Sequence, residues 1–261
     1  MKIETVKTSD FEMDFFRFGN PENPKAVVIS GVSLKSIMLS ADLIESACKK
    51  LGEKFEVYFF DRKKTFLSKA SIYEMAEDTT KAIKILGLSD INLVGVSQGG
   101  MISECIAIKN PQLVKKLALV STACFIDENA RKIFKDWTDF SDKKAAEKLG
   151  QSFGKSVYTQ PFFEKYKEAI FAGCNGTDEE FKKFSIMVSA MEGFDVQSEL
   201  TKIKCQTLVI AGQEDKIFSA ESSRLMAEKI GCKFLLFKNF GHALYDEAPE
   251  YIEKLFQFLC E

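Results

Sequence analysis

The sequence is short of several things. It has one histidine and one tryptophan in 261 residues, and no excess of either charge: 36 Lys and Arg stand against 38 Asp and Glu, a net charge of -2. Such a balance sets up no global field to attract nucleic acid or an anionic membrane. No stretch approaches the roughly 18 apolar residues of a membrane span. The first 16 residues carry Lys2, Glu4, Lys7, Asp10, Glu12 and Asp14, where a signal peptide would be unbroken and apolar. A cytoplasmic protein is expected, with no nucleic-acid partner and no membrane insertion. The seven cysteines (Cys48, Cys105, Cys124, Cys174, Cys205, Cys232 and Cys260) are odd in number, scattered and never spaced C-x-x-C. That argues against a disulfide framework and a thiolate zinc site, and leaves reduced core fillers. Asn175-Gly176-Thr177 matches a glycosylation pattern, but without a secretion signal it reads only as a turn.

What is present fits one large core. With 46% apolar and 28% charged residues the chain is in the ordinary globular range, and folds of alternating strands and helices often use such a length as one unit. Residues 2–7 and Phe11-Glu12-Met13-Asp14-Phe15 predict a hairpin, the second strand alternating as if one face were wet. Ala26-Val27-Val28-Ile29, Val57-Tyr58-Phe59-Phe60, Ile91-Asn92-Leu93-Val94 and Leu117-Ala118-Leu119-Val120 are short apolar runs suited to strands covered on both faces. Between them Ile37, Ala41, Ile44 and Ala47, then Ile72, Met75, Ala76, Ile83 and Leu86, and then residues 101–108 carry helical spacing. Alternation of this kind implies an α/β fold with a parallel sheet, because parallel neighbours need crossover helices. The beat lapses from about Cys124 to Gly193, where helical periodicity and aromatics prevail. It resumes with Thr207-Leu208-Val209-Ile210, Phe234-Leu235-Leu236-Phe237 and a closing helix over 251–259. The middle stretch is expected to be a helical insertion.

Chemistry concentrates at the ends of the predicted strands. Gly95-Val96-Ser97-Gln98-Gly99-Gly100 runs directly from a strand into a helix. A serine on such a turn is held exposed in a strained conformation, and the flanking glycines let strand and helix pack closely. The competing reading, a glycine-rich phosphate cradle, would need glycine where Ser97 stands, and no G-x-x-x-x-G-K-[ST] loop occurs. A serine hydroxyl needs a base to act as a nucleophile. The one histidine, His242, follows Gly241 just after the last predicted strand, where an elbow serine requires its base. Asp215, just beyond the strand at 207–210, is the best candidate to orient that imidazole; Glu214 and Asp195 are rivals. A tetrahedral oxyanion would need backbone donors. Gln98 N–H follows the serine, and Val32 N–H lies in Ser30-Gly31-Val32-Ser33 after the first buried strand.

At this point the sequence resembles the α/β-hydrolase superfamily over nearly its whole length. Asp78 to Leu88, Gly95-Val96-Ser97-Gln98-Gly99-Gly100-Met101, Asn110-Pro111 through Ser121-Thr122, the segment 207–212 with Asp215, and Gly241-His242 carry the likeness. The resemblance implies an α/β-hydrolase fold: an eight-stranded, mostly parallel sheet flanked by helices, with a helical lid inserted between the sixth and seventh strands. The expected organisation is a core of residues 1–123 and 199–261 with a lid over 124–198. Two segments depart from the family pattern. Ser30-Gly31 stands where members often have His-Gly, and Asp61-Arg62-Lys63-Lys64-Thr65-Phe66-Leu67-Ser68 keeps only the outline of D-x-R-G-x-G-x-S. Serine at position 97 argues against the branches that use aspartate (haloalkane dehalogenases, epoxide hydrolases) or cysteine (dienelactone hydrolases).

The insertion holds Phe125, Phe134, Trp137, Phe140, Phe153, Tyr158, Phe162, Phe163, Tyr166, Phe171, Phe181 and Phe184, of which about a third are expected to line an apolar pocket. Arg131 is the sole arginine between Cys124 and Gln197, so a carboxylate clamp has little supply. The expected protein is a cofactor-free, metal-free serine hydrolase of a small, largely uncharged ester or lactone, with catalytic residues Ser97, Asp215 and His242. Thioester, amide, carbon–carbon or acyl-transfer chemistry on the same residues, and a ligand receptor with little turnover, remain as alternatives.

Overall fold

The computed structural model describes residues 1–66 and 69–261. Eight strands form one sheet: β1 (Ile3–Lys7), β2 (Glu12–Phe18), β3 (Lys25–Ile29), β4 (Glu56–Lys63), β5 (Ile91–Val96), β6 (Val114–Val120), β7 (Gln206–Gly212) and β8 (Lys233–Phe237). Their order is β1-β2-β4-β3-β5-β6-β7-β8, antiparallel at β1/β2 and β2/β4 and parallel from β4 onward. The helices are α1 (Ala41–Ala47), α2 (Lys49–Gly52), α3 (Ile72–Ile85), α4 (Gln98–Lys109), α5 (Glu128–Asp142), α6 (Ala146–Val157), α7 (Gln160–Gly173), α8 (Asp178–Ser189), α9 (Ala220–Ile230), α10 (Leu244–Glu247) and α11 (Tyr251–Cys260).

The apolar runs are explained by period-two alternation into two cores. Val27, Ile29, Leu93, Leu117 and Leu119 belong to one, with α3 and α4. Ala26, Val28, Val94, Ala118 and Val120 belong to the other, with α11. β2 keeps the expected alternation over 11–15, with Glu12 and Asp14 half-buried between Phe11, Met13 and Phe15, and its continuation covers a second face. Met13 and Phe15 enter the first core while Phe16 and Phe18 enter the second, across a register shift between Met13 and Phe15. Alternation runs unbroken through β2, and the extra residue of the irregularity lies on β4 between Phe60 and Lys63. α4 is buried at every residue from Gln98 to Ala107, which is why its sequence lacks a polar face. The helical spacing over 37–47 resolves into a 3₁₀ turn at Ile37–Ser40 followed by α1.

Four helices, α5 to α8, fall between β6 and β7. The first and last residues of this excursion are stitched together: Ile126 N–H donates to Phe194 O at 3.2 Å and Val196 N–H to Cys124 O at 2.8 Å. Thr177 caps α8 in a reciprocal box with Glu180, giving the Asn-Gly-Thr turn a structural role. All seven cysteines are free, but only Cys105, Cys124 and Cys174 are buried; Cys260 is exposed and the rest are half-buried. Core filling therefore describes three of the seven. Among the described residues, no helix is long and apolar enough to cross a membrane.

Candidate active site

The parallel strands all point one way, so the loops after β3, β5, β7 and β8 gather along one edge. Ser97 sits there between β5 and α4 at φ 53° and ψ -121°, a left-handed conformation that an L-residue keeps only when its surroundings impose it. Here they do. Ser97 N–H donates to Val120 O at 2.9 Å, and the Thr122 hydroxyl donates to Ser97 O at 2.8 Å. Gly99 lets α4 close on β3, since a Cβ at that position would run into the Ile29 carbonyl.

The structure brings Ser97, His242 and Asp215 together. His242 Nδ1 lies 2.8 Å from Asp215 Oδ2, and Nε2 lies 2.9 Å from Ser97 Oγ. A carboxylate accepting at Nδ1 places the imidazole proton there and leaves Nε2 to accept the serine hydroxyl. Asp215 is itself aimed by the chain, because its Oδ1 accepts Ile217 N–H at 2.8 Å and Phe218 N–H at 2.9 Å, which leaves Oδ2 for the ring. Residue exposures of 8% for Ser97, 9% for Asp215 and 3% for His242 put the relay in a nearly dry setting. The rivals stand apart: Glu214 and Asp195 are exposed, and Asp195 caps the Gln197 amide. Such an arrangement can take the proton from a serine hydroxyl as the oxygen attacks a carbonyl.

Gln98 is the first residue of α4, so its N–H has no partner within the helix. The Ser30–Ser33 loop passes over the serine: a Cβ on Gly31 would stand 3.2 Å from Ser97 Cβ and 3.7 Å from its Oγ. Among the described residues, neither Val32 N–H nor Gln98 N–H meets an acceptor. The altered segment 61–68, which begins inside β4, contributes Arg62, a residue its motif outline does not single out. The one available signal was a charged side chain following the buried Tyr58 and Phe60 at intervals of two in the sequence. Leu67 and Ser68, the end of that segment, lie outside the described residues.

From His242 an aromatic path leads into the helical excursion. Phe218 is centred 5.5 Å from the imidazole, Phe134 lies 6.1 Å from Phe218, and Trp137 lies 5.6 Å from Phe134. Phe163, Phe181 and Phe184 are also buried, whereas Tyr166 is exposed. A surface groove of about 520 Å³ lined by Asp136, Phe140, Glu147, Lys148, Gln151, Ser152 and Lys155 includes none of the clustered residues. Among the described residues, no group of three or more His, Cys, Asp or Glu side chains could hold a metal ion.

A family profile described as alpha/beta hydrolase fold matches residues 48–249. The chain belongs to the α/β-hydrolase family. A hydrolase is the class of activity that this membership supports. A protein of Agrobacterium fabrum with the provisional name carbamate hydrolase RutD is 22% identical over 241 residues, covering 86% of this chain and 92% of its own. 3-Oxoadipate enol-lactonase 2 of Acinetobacter baylyi is 19% identical over 253 residues, covering 95% and 92%. Among solved structures, MGS-M2, an α/β-hydrolase enzyme from a Medee basin deep-sea metagenome library, superposes with a TM-score of 0.89 at 17% identity. It covers 99% of this chain and 98% of its own, a likeness of fold.

Proposed function

We propose that this hydrolase opens small, largely uncharged carboxylic esters or lactones through a Ser-His-Asp triad. The observation that carries the reading is the unbroken relay from Asp215 through His242 to Ser97 on a strained elbow. Ser97 Oγ attacks the carbonyl carbon as His242 Nε2 takes its proton. Asp215 stays ionised and stabilises the imidazolium. The tetrahedral oxyanion is met by Gln98 N–H and Val32 N–H. His242 then returns the proton to the leaving alcohol, and water, activated by the same imidazole, releases the acid from the acyl-enzyme. No step calls for a metal or cofactor.

In this reading residues 124–198 form a lid over a core of 1–123 and 199–261. The stitched neck and the aromatic path from Phe218 through Phe134 to Trp137 support it. The same aromatics and the scarcity of arginine favour an uncharged acyl or alcohol group. Two relatives bear the names carbamate hydrolase and enol-lactonase, which favours trying carbamates and lactones beside esters.

A fluorophosphonate probe is expected to label the folded protein once, at Ser97, and to leave Ser97→Ala unlabelled. A panel of p-nitrophenyl esters of rising chain length, lactones and aryl carbamates then ranks the carbonyl class. A folded wild-type protein that resists the probe and turns over nothing on the panel would contradict the triad and favour a ligand receptor.

A further inference from the structure

Arg62, one of four arginines in the chain, is the next-to-last residue of β4. It follows Tyr58 and Phe60, both members of the first core, at intervals of two in the sequence, and lies in the irregular stretch of β4 between Phe60 and Lys63. A third apolar residue would be the ordinary occupant. Arg62 is instead 4% exposed, and among the described residues no carboxylate lies within salt-bridge distance of its guanidinium. Burial lowers its pKa to about 10, so the charge persists at neutral pH. A buried, unpaired charge is costly unless its hydrogen bonds are well placed.

Those bonds reach both arms of the oxyanion site. Nη2 donates to Ser30 O at 2.7 Å, and Nε donates to Gln98 Oε1 at 3.2 Å. Ser30 O belongs to the peptide that leads through Gly31 to Val32 N–H. Gln98 is the residue whose own N–H follows the serine. Its side chain is secured at the other end as well, with Nε2 donating to Met187 O of α8 at 2.6 Å. The planar fork of an arginine can hold two acceptors at a fixed separation and angle, which an ammonium cannot do.

We infer that Arg62 is the positioning residue of the oxyanion site, one guanidinium clamping the Ser30–Val32 loop and the head of α4 at the spacing a tetrahedral intermediate requires. The inference rests on the acyl-transfer reading above. The positive charge of Arg62, bonded to the residue before Gly31 and to the side chain of Gln98, also adds to a field that favours an oxyanion near them. It touches neither substrate nor reacting atoms.

The test compares the full-length wild type with Arg62→Met, Arg62→Lys and Gln98→Leu, using the best p-nitrophenyl ester and phenylboronic acid. The boronate forms a tetrahedral anion on the serine and so reports the oxyanion site directly. Removal of an oxyanion donor lowers turnover about 10²- to 10³-fold, and Arg62→Met, which leaves both donors in place but unclamped, is expected to lower kcat about 30-fold. KM should stay within about threefold, while the boronate inhibition constant rises in parallel with the loss in kcat. Arg62→Lys, reaching one acceptor at a time, should recover part of both losses. A folded Arg62→Met enzyme with unchanged kcat and boronate affinity, or one altered in KM alone, overturns the assignment. If Arg62→Met does not fold, Gln98→Leu decides: it keeps the backbone N–H, cuts one arm of the clamp, and is expected to lose about tenfold in kcat and boronate affinity together. Unchanged values there overturn the assignment as well. A wild type that resists fluorophosphonate would sink the triad and this role with it, whereas normal labelling with a silent Arg62→Met sinks the role alone.

Discussion

The strand ends that carry Ser97, Asp215 and His242 and the helices α5 to α8 inserted before β7 are held by different kinds of contact. The strand ends are set by the main chain: Ser97 N–H to Val120 O, Gln213 N–H to Phe237 O and Glu214 N–H to Phe240 O, each 2.9 Å. The inserted helices meet them mostly through side chains. Lys35 pairs with Glu180, Gln98 reaches Met187 O, Asn129 reaches Lys216 O, and Thr159 binds Glu247 through both its amide and its hydroxyl. One contact, Ala243 N–H to Val157 O at 2.9 Å, is backbone on both sides. Each lands on the segment that follows β3, β5, β7 or β8, either the loop or the helix after it. The geometry around Ser97 is therefore built into the sheet, while the inserted helices dock through a shared apolar core and a few polar groups beside it. Substitutions in the two regions should separate accordingly.

The largest contrast is chemical. Ser97→Ala should abolish turnover with little change in melting temperature. His242→Ala should abolish it and also lower the melting temperature, because it strands the buried Asp215 carboxylate. Asp215→Asn should lower kcat by about 10⁴-fold because it favours the wrong imidazole tautomer. Steady-state kinetics beside thermal melts checks this. A triad variant that keeps activity would remove the distinction altogether. Next comes Gly99→Ala, whose methyl group meets the Ile29 carbonyl backbone rather than a pliable side chain. A loss of about 3 kcal/mol in urea unfolding is expected, and a value near zero would show the elbow to be more yielding than its contacts indicate.

Glu104 probes how dry the sheet side is. It is wholly buried on α4, both carboxylate oxygens lack partners among the described residues, and desolvation raises its pKa well above the usual carboxylate range. The folded chain then holds a proton that the unfolded chain releases above about pH 4.5. The stability this gives is fully present below that pH and is lost progressively as pH rises toward the folded-state value. Glu104→Gln removes the dependence, so its stability relative to wild type should rise by about 1.4 kcal/mol per pH unit above pH 4.5. Urea melts at pH 5.5 and 7.5 measure the difference. The smallest effect is expected at the helical side: Thr159→Val removes the hydroxyl bond to Glu247 and should cost about 1 kcal/mol, leaving fluorophosphonate labelling of Ser97 within about twofold. A large loss of labelling would mean that the docking of α6 and α7 governs His242 as well.

Much of the sheet was legible because its signals are local. Runs such as Ala26-Val27-Val28-Ile29 report burial on both faces, and Gly-x-Ser-x-Gly between a strand and a helix reports a strained turn. Ser97, Asp215 and His242 follow β5, β7 and β8, so the parallel sheet brings them to one edge, where His242 lies within hydrogen-bond reach of both of the others. The two-faced burial of β2 lies past the alternating stretch 11–15, in Phe16 and Phe18, which continue the same alternation onto the second core. Arg62 was obscure for a different reason: its partners are a backbone carbonyl at Ser30 and a neutral amide at Gln98, and nothing in a linear string marks either as the mate of a distant charge. The aromatics from Phe125 to Phe184 show helical spacing whether they fill the insertion's own core or face a ligand.

Trp137, the only indole in the chain, is buried in that insertion against Phe134, Phe153 and Phe184. Its fluorescence is consequently a natural optical gauge of the inserted helices, free of any contribution from a second indole in the sheet. If these helices detach before the strands separate, its emission will shift to the red at a lower denaturant concentration than the loss of far-ultraviolet dichroism. Coincident transitions would mean that the two regions melt as one cooperative body.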